Sequence, residues 1–264
     1  TGLVGSHLAL QLLQSGERVR ALKRRSSNLH LIESIFAHHN ANHLLPKIEW
    51  VEGDLLDLGA LEDAMQGITT VYHAAALISF ESAKEKELFR VNAEGTANIV
   101  NLCLDLGIQH LCYISSIAAL GKTTDGSLVT EDLHWKKDPS HSVYAISKYT
   151  AEREVWRGME EGLHAVILNP GFIVGYGISK QGSLLLFDAL KKSGSWFTNG
   201  ITGYVDVRDV ADAALRLTKE KVNGKRFILV SDNMTYRDVF DTILKTWNRK
   251  TTSTFASPFL LGLG

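Results

Sequence analysis

The feature that most constrains this chain is a regular alternation. Short β-branched or apolar runs are separated by longer segments whose apolar residues recur at helical spacing. Runs of the first kind stand at 18–22, 48–52, 70–73, 110–115, 164–169 and 226–230. Helical patterns fill 3–15, 29–38, 58–65, 84–106 and 143–161, with further ones at 207–219 and 235–247. Strands separated by a helix cannot close a hairpin. The crossover makes them parallel and lays helices over both faces of the sheet. The expected fold is therefore α/β, a doubly wound parallel sheet of the Rossmann type.

Composition narrows the kind of partner. With 264 residues and 45% hydrophobic content the chain can bury a full core. Its formal charge of −1 supplies no basic field, so neither nucleic acid nor a membrane surface is expected. No apolar run approaches the roughly 18 residues that span a bilayer. Cys103 and Cys112 sit inside apolar segments and read as buried thiols of a reduced compartment, which points to the cytoplasm. His38, His39 and His43 cluster near Asn40 and Asn42, but no Cys, Asp or Glu completes a tetrahedral set, so no metal is expected.

Thr1-Gly2-Leu3-Val4-Gly5 opens the first helix, with two glycines three apart. In a dinucleotide-binding turn one glycine admits the pyrophosphate backbone and the next lets helix and strand pack closely, with the helix N-terminus facing the phosphates. Such a turn follows a strand, and none precedes it here. The first strand is expected to be missing, and the C-terminal lobe to be cut short by the apolar end at Gly264. The chain reads as a fragment.

The second strand position of the fold runs into Lys23-Arg24-Arg25. An NAD-selective site places an acid there, on the ribose 2′-hydroxyl. A guanidinium instead pairs with a 2′-phosphate, so Arg24 favours NADP(H) over NAD(H). Asp54 follows the next strand and can accept from the adenine amino group while the Leu55 backbone completes the contact; an ordinary helix N-cap is the competing role. Ala74, Ala75 and Ala76 follow the strand after that. Their small side chains leave room for a cofactor across the strand ends, or for tight helix packing.

Tyr144 and Lys148 lie four apart on a helical pattern and so project from one face. A neighbouring ammonium stabilises a phenolate, which lets a phenol shuttle protons nearer neutral pH. Ser115 and Ser116 end a strand at the carboxyl edge, where open α/β sheets bind ligands; a hydroxyl there can polarise a substrate carbonyl.

Thr1-Gly2-Leu3-Val4-Gly5, His73-Ala74-Ala75-Ala76, Asn92, Ser115-Ser116 through Gly121, Tyr144-x-x-x-Lys148 and Asn169-Pro170-Gly171 occur in an order that resembles the extended short-chain dehydrogenases/reductases. These belong to the NAD-dependent epimerase/dehydratase group, and the likeness is greatest to its dihydroflavonol-reductase-like and 3β-hydroxysteroid-dehydrogenase-like branch. The resemblance implies that Ser116, five residues before Gly121, is the catalytic serine, with Ser115 beside the cofactor. It implies Tyr144 as proton donor or acceptor, Lys148 as the group that holds the nicotinamide ribose and lowers the tyrosine pKa, and Asn92 as support for the active-site region. Pro170 and Phe172 would line the nicotinamide pocket, and Asp206 would cap a helix.

The resemblance also implies a division into a cofactor domain, 1–169 with 200–230 returning to it, and a truncated substrate lobe, 170–199 and 231–264. The expected activity is hydride transfer between NADP(H) and a small carbonyl or alcohol substrate. A nucleotide-sugar epimerase or dehydratase is the alternative, against which the basic strand end at Arg24 speaks. A nonenzymatic NADP-binding regulator is a further one, against which the complete triad speaks. A homodimer through the helices at 84–106 and 143–161 is offered by the resemblance and left open by the residues.

Overall fold

The computed structural model describes residues 1–79, 81–123, 126–177, 190, 196–197, 200–251 and 254–255. Four parallel strands form its centre: β3 (Thr70–His73), β4 (His110–Ile114), β5 (Ala165–Pro170) and β9 (Lys225–Leu229), hydrogen-bonded in that order. Every residue of β4 and β5 is buried. Strands covered by helices on both faces need apolar side chains in both directions, and the near-continuous runs His110-Leu-Cys-Tyr-Ile and Ala165-Val-Ile-Leu supply them. A separate parallel pair, β1 (Val19–Lys23) and β2 (Ile48–Glu52), carries the basic strand end. Among the described residues β1 and β3 share no ladder.

Helix α1 (Leu3–Gln14) spans both pieces. Its Ala9, Leu10 and Leu13 pack with Ile35 and Phe36 of α2 (His30–His38), while Leu8 packs with Cys112 and Val166 of the central sheet. On the other face α5 (Gly95–Asp105) and α6 (Val143–Glu160) enclose Ile99, Val100, Ala151 and Val155 against Leu111, Tyr113 and Ile167. The chain then returns through β8 (Ile201–Asp206) to α7 (Val207–Lys219), whose Ala211 and Ala214 cover Cys112 and Val166. Asp206 caps that helix, accepting from the Arg208 amide at 2.8 Å.

Three features depart from the expectation. The helical pattern at 84–106 is not one helix: α4 (Glu85–Leu88) gives way to a π-helical turn, Phe89–Glu94, before α5 begins. Short strands β6 (Phe172–Val174) and β10 (Asp232–Thr235) flank β8 in a second small sheet, and β7 (Trp196–Phe197) pairs with β11 (Thr254–Phe255). Glycine is required where the second sheet leaves the first, because a Cβ on Gly171 would run into the Gly203 carbonyl. Much of the expected substrate lobe, at 178–189, 191–195 and 256–264, lies outside the described residues, as does the Trp196 side chain. The ring of Phe197 lies under the Arg237 guanidinium. The remaining elements are α3 (Leu58–Met65), capped by Asp57, and α8 (Tyr236–Thr246), capped by Thr235. No helix of the described residues is long and apolar enough to cross a membrane.

Candidate active site

Tyr144 and Lys148 come from the first turns of α6, which Ser142 starts by accepting from the Ala145 amide. Ser116 comes from the residue pair after β4. It is extended, and its Oγ accepts from the Ala118 amide at 3.1 Å, capping a short 3-10 turn. These two termini meet: the Lys148 ammonium reaches the Ile114 carbonyl, two residues before Ser116, and the Ser116 hydroxyl stands near enough to the Tyr144 phenol to act on it. Burial pushes the Tyr144 phenol up to about 12, and the neighbouring Ser116 hydroxyl opposes that rise.

Lys148 is 1% exposed. Its Nζ donates to Tyr113 Oη at 2.8 Å and to the Ile114 carbonyl at 3.0 Å, and lies 4.5 Å from the Tyr113 ring centroid. Burial pushes the ammonium down to about 7, with the Glu152 carboxylate acting in the other direction. In this arrangement the ammonium does not lower the Tyr144 pKa. The charge is taken up by Tyr113, and desolvation dominates the phenol. The Tyr113 ring stacks on His73 with centroids 5.3 Å apart, and Thr96 Oγ1 lies 3.0 Å from His73 Nε2. Burial, then the Lys148 charge, push the His73 imidazole down to about 3 and so hold it neutral.

Asn92 is 1% exposed and faces the interior, not solvent. Its Oδ1 accepts from the Leu77 amide at 2.7 Å, and its Nδ2 donates to the Leu77 carbonyl and to Ser147 Oγ, both at 3.0 Å. It clamps the loop after β3 to α6. The Ser115 hydroxyl donates to Glu152 Oε2 at 2.7 Å.

The cofactor-side residues gather at the strand ends. Arg24 and Arg25 are exposed and line an open cleft with Ser26, Glu52, Gly53 and Asp54. A Cβ on Gly53 would lie 2.9 Å from Leu22 Cδ1 and 3.2 Å from Ala60 Cβ, so a side chain there would push the Leu22 tip aside and crowd α3. Asp54 does not cap α3: Asp57 does, and Asp54 Oδ1 accepts from the Leu56 amide at 3.0 Å. The Leu55 side chain is core, so only its backbone can meet a ligand. Ala75 and Ala76 are exposed, which removes tight helix packing as their role. Pro170 ends β5, buried and paired with Leu229. Gly2 caps α1, with Leu3 and Val4 in its first turn. Gly5 follows in the same turn of α1.

Sequence reasoning missed Tyr113, Thr96, Glu152 and Arg226. Glu152 carried a readable signal, standing four residues beyond Lys148 and eight beyond Tyr144 on one helical stripe. Tyr113 and Arg226 gave none, since their partners lie on other elements.

The model of the NAD dependent epimerase/dehydratase family matches residues 1–230. The chain belongs to this family. A dihydroflavonol 4-reductase-like protein of Synechocystis sp. is 32% identical over 246 residues, 90% of this chain and 68% of that protein. Sterol demethylase protein B of Methylococcus capsulatus is 29% identical over 240 residues, covering 89% of this chain and 69% of that one. Among solved structures, gox2253 superposes with a TM-score of 0.84 at 27% identity, covering 98% of this chain and 76% of its own. Membership makes this epimerase/dehydratase-family chain a Rossmann-type enzyme of the NAD(P)-dependent oxidoreductases, epimerases and dehydratases.

Proposed function

We propose that this chain transfers hydride between NADP(H) and a carbonyl or alcohol substrate, with Ser116, Tyr144 and Lys148 as its catalytic residues. The observation that carries the reading is the meeting of Ser116, at the exit of β4, with the first turns of α6 that carry Tyr144 and Lys148, whose ammonium donates to the Ile114 carbonyl, two residues before Ser116, at 3.0 Å. The residues present fit a dinucleotide. The first turn of α1 holds no acidic residue and no side-chain cap, and among the described residues Asn169 Oδ1 beside Ser116 is buried without a hydrogen-bond partner. Gly2, Leu3, Val4 and Gly5 would meet the pyrophosphate, Arg24 a 2′-phosphate, Asp54 and Leu55 the adenine, and Ala74, Ala75, Ala76 and Pro170 the path to the nicotinamide.

Bound NADPH supplies the hydride. The protein supplies the proton and the geometry. A phenol held protonated well past neutrality is in the right form to give its proton to the oxygen of a carbonyl being reduced. Ser116, extended at the strand exit, directs its hydroxyl at that same oxygen. Lys148, one turn beyond the phenol, would hold the nicotinamide ribose, its ammonium steadied by Tyr113 and the Ile114 carbonyl. Asn92 keeps the loop after β3 against the turn that carries Tyr144. We assign 1–169 with 200–230 to cofactor binding, and 170–199 with 231–264 to the substrate lobe.

Glu52 stands in the cleft with Arg24. A carboxylate there suits an unphosphorylated ribose, as in an NAD-retaining epimerase or dehydratase, and this is the second reading. NADPH oxidation with a panel of aldehydes and ketones, parent against Tyr144→Phe, tests the first. Consumption of NADPH by the variant at the parental rate refutes it. Interconversion of a nucleotide sugar with no net NADPH use selects the second.

A further inference from the structure

Behind the Ser116–Tyr144 pair lies a buried ion pair that the mechanism above does not use. Glu152 is 2% exposed, and its carboxylate is surrounded by donors. Oε2 accepts from Ser115 Oγ at 2.7 Å and from Asn169 Nδ2 at 2.8 Å; Oε1 accepts from Arg226 Nη1 at 3.2 Å and from Trp156 Nε1 at 3.4 Å. Four donors satisfy its two oxygens. Arg226 also reaches the Glu131 carbonyl at 2.7 Å and the Leu133 carbonyl at 2.8 Å, tying down the loop that precedes α6. Asn169 donates at 3.0 Å to the Ser116 carbonyl as well, so the carboxylate is two bonds from the expected catalytic serine.

Burying two charges is costly, and an apolar pair of the same volume often serves stability as well or better. The use of Glu152 therefore has to be sought in what it faces. Around Lys148 stand Tyr113 from β4, neutral His73 from β3, Tyr144 and Glu152 from α6, and Arg226 from β9 behind Glu152. Of these only Glu152 brings negative charge. Arg226 neutralises part of it from the far side.

We propose that Glu152 is a positioning residue for proton transfer: its carboxylate, locked by Ser115, Asn169 and Arg226, keeps the Lys148 ammonium charged beside Tyr144 and fixes Ser116 through Asn169. The proposal rests on the Ser116–Tyr144–Lys148 reading of function. Direction follows from Coulomb's law. Without the carboxylate the buried ammonium gives up its proton at lower pH; without Arg226 the carboxylate acts on Lys148 undiluted and the proton is held to higher pH.

The experiment compares Glu152→Gln, Glu152→Asp and Arg226→Gln, each checked for cooperative thermal unfolding. The alkaline limb of the kcat/KM profile for NADPH-dependent reduction moves down by about one pH unit in Glu152→Gln, stays near the parent in Glu152→Asp, and moves up in Arg226→Gln. A folded Glu152→Gln with the parental profile overturns the proposal, as does a shift of the same sign in Glu152→Gln and Arg226→Gln. Should Glu152→Gln not fold, the upward shift in Arg226→Gln still decides. The 15N resonance of Lys148 Nζ, titrated in the same proteins, reads the same midpoints without turnover. An absence of reductase activity thus refutes the proposed function, while an unmoved Lys148 midpoint refutes this inference.

Discussion

Asn92→Ala removes a side chain with three hydrogen bonds, and the cost divides unevenly among them. Leu77 loses partners for both its amide and its carbonyl. A buried polar group left unsatisfied costs about 1–3 kcal/mol, but Leu77 is half-buried and water reaches it, so the lower end applies to each. Ser147 loses only an incoming bond, since its own hydroxyl still donates to the Tyr144 carbonyl at 2.8 Å. The sum is about 2–3 kcal/mol, which in a chain of this size lowers Tm by about 4–12 °C. Hydrogen exchange adds the decisive detail. The Leu77 amide, protected by Asn92 Oδ1 at 2.7 Å, should exchange far faster in the variant, whereas amides of β4 and β5 keep the slow exchange of the core. Asn92→Asp retains an acceptor for that amide and loses both donated bonds, so it should keep Leu77 protected while Tm falls. If Leu77 exchange in Asn92→Ala matches the parent and Tm stays within about 1 °C, the clamp described here is wrong.

Arg24→Ala should weaken NADPH binding about 10- to 100-fold, the worth of lost charge-assisted hydrogen bonds, and leave NADH unchanged in a fluorescence titration; equal weakening of both cofactors would remove the selectivity argument. Lys148 carries a pH signature. Folding lowers its pKa from 10.5 to about 7, so between those values the unfolded chain binds the extra proton and stability rises with pH. The Tm of Lys148→Met minus that of the parent should accordingly be greatest below pH 7 and shrink toward pH 10.5; a constant difference would show that the buried charge is relieved in some other way. Gly171→Ala drives a methyl into the Gly203 carbonyl, where backbone cannot yield, and should cost about 1–3 kcal/mol or more. Thermal unfolding checks this, and a Tm equal to the parent's would contradict the packing described.

The central strands were legible because parallel strands under helices need unbroken apolar runs, and 110–115 and 164–169 show them plainly. The Asp206 cap was legible too, since an aspartate at a helix start has one obvious use. Strands β6, β8 and β10 were not, because their residues are short, mixed in burial and defined by partners far away in sequence. At the site, the residues alone offered a serine pair at a strand exit and a Tyr144/Lys148 helix face, and the family resemblance singled out Ser116 from that pair. What spacing could not show was direction: that Ser115 turns toward Glu152 while Ser116 turns toward Tyr144, or that the Lys148 ammonium rests on Tyr113. Those choices are made by burial, which penalises an unpaired charge until it finds a partner on another element.

The wide turn at Phe89–Glu94 has a consequence for phase. An α-helix advances about 100° per residue, so one extra residue in a turn rotates everything downstream against everything upstream. Upstream of that offset, Leu88 is sunk in the protein; within it, Asn92 aims at Leu77; beyond it, Thr96 meets His73 and Asn98 meets the Leu55 carbonyl at 2.8 Å. The wide turn sets the angle at which Thr96 and Asn98 leave the helix relative to Leu88. Deleting one residue from the turn would leave Leu88, Asn92, Thr96 and Asn98 in place in the chain and change their aim, loosening the loop over the strand ends from the helix that carries Tyr144.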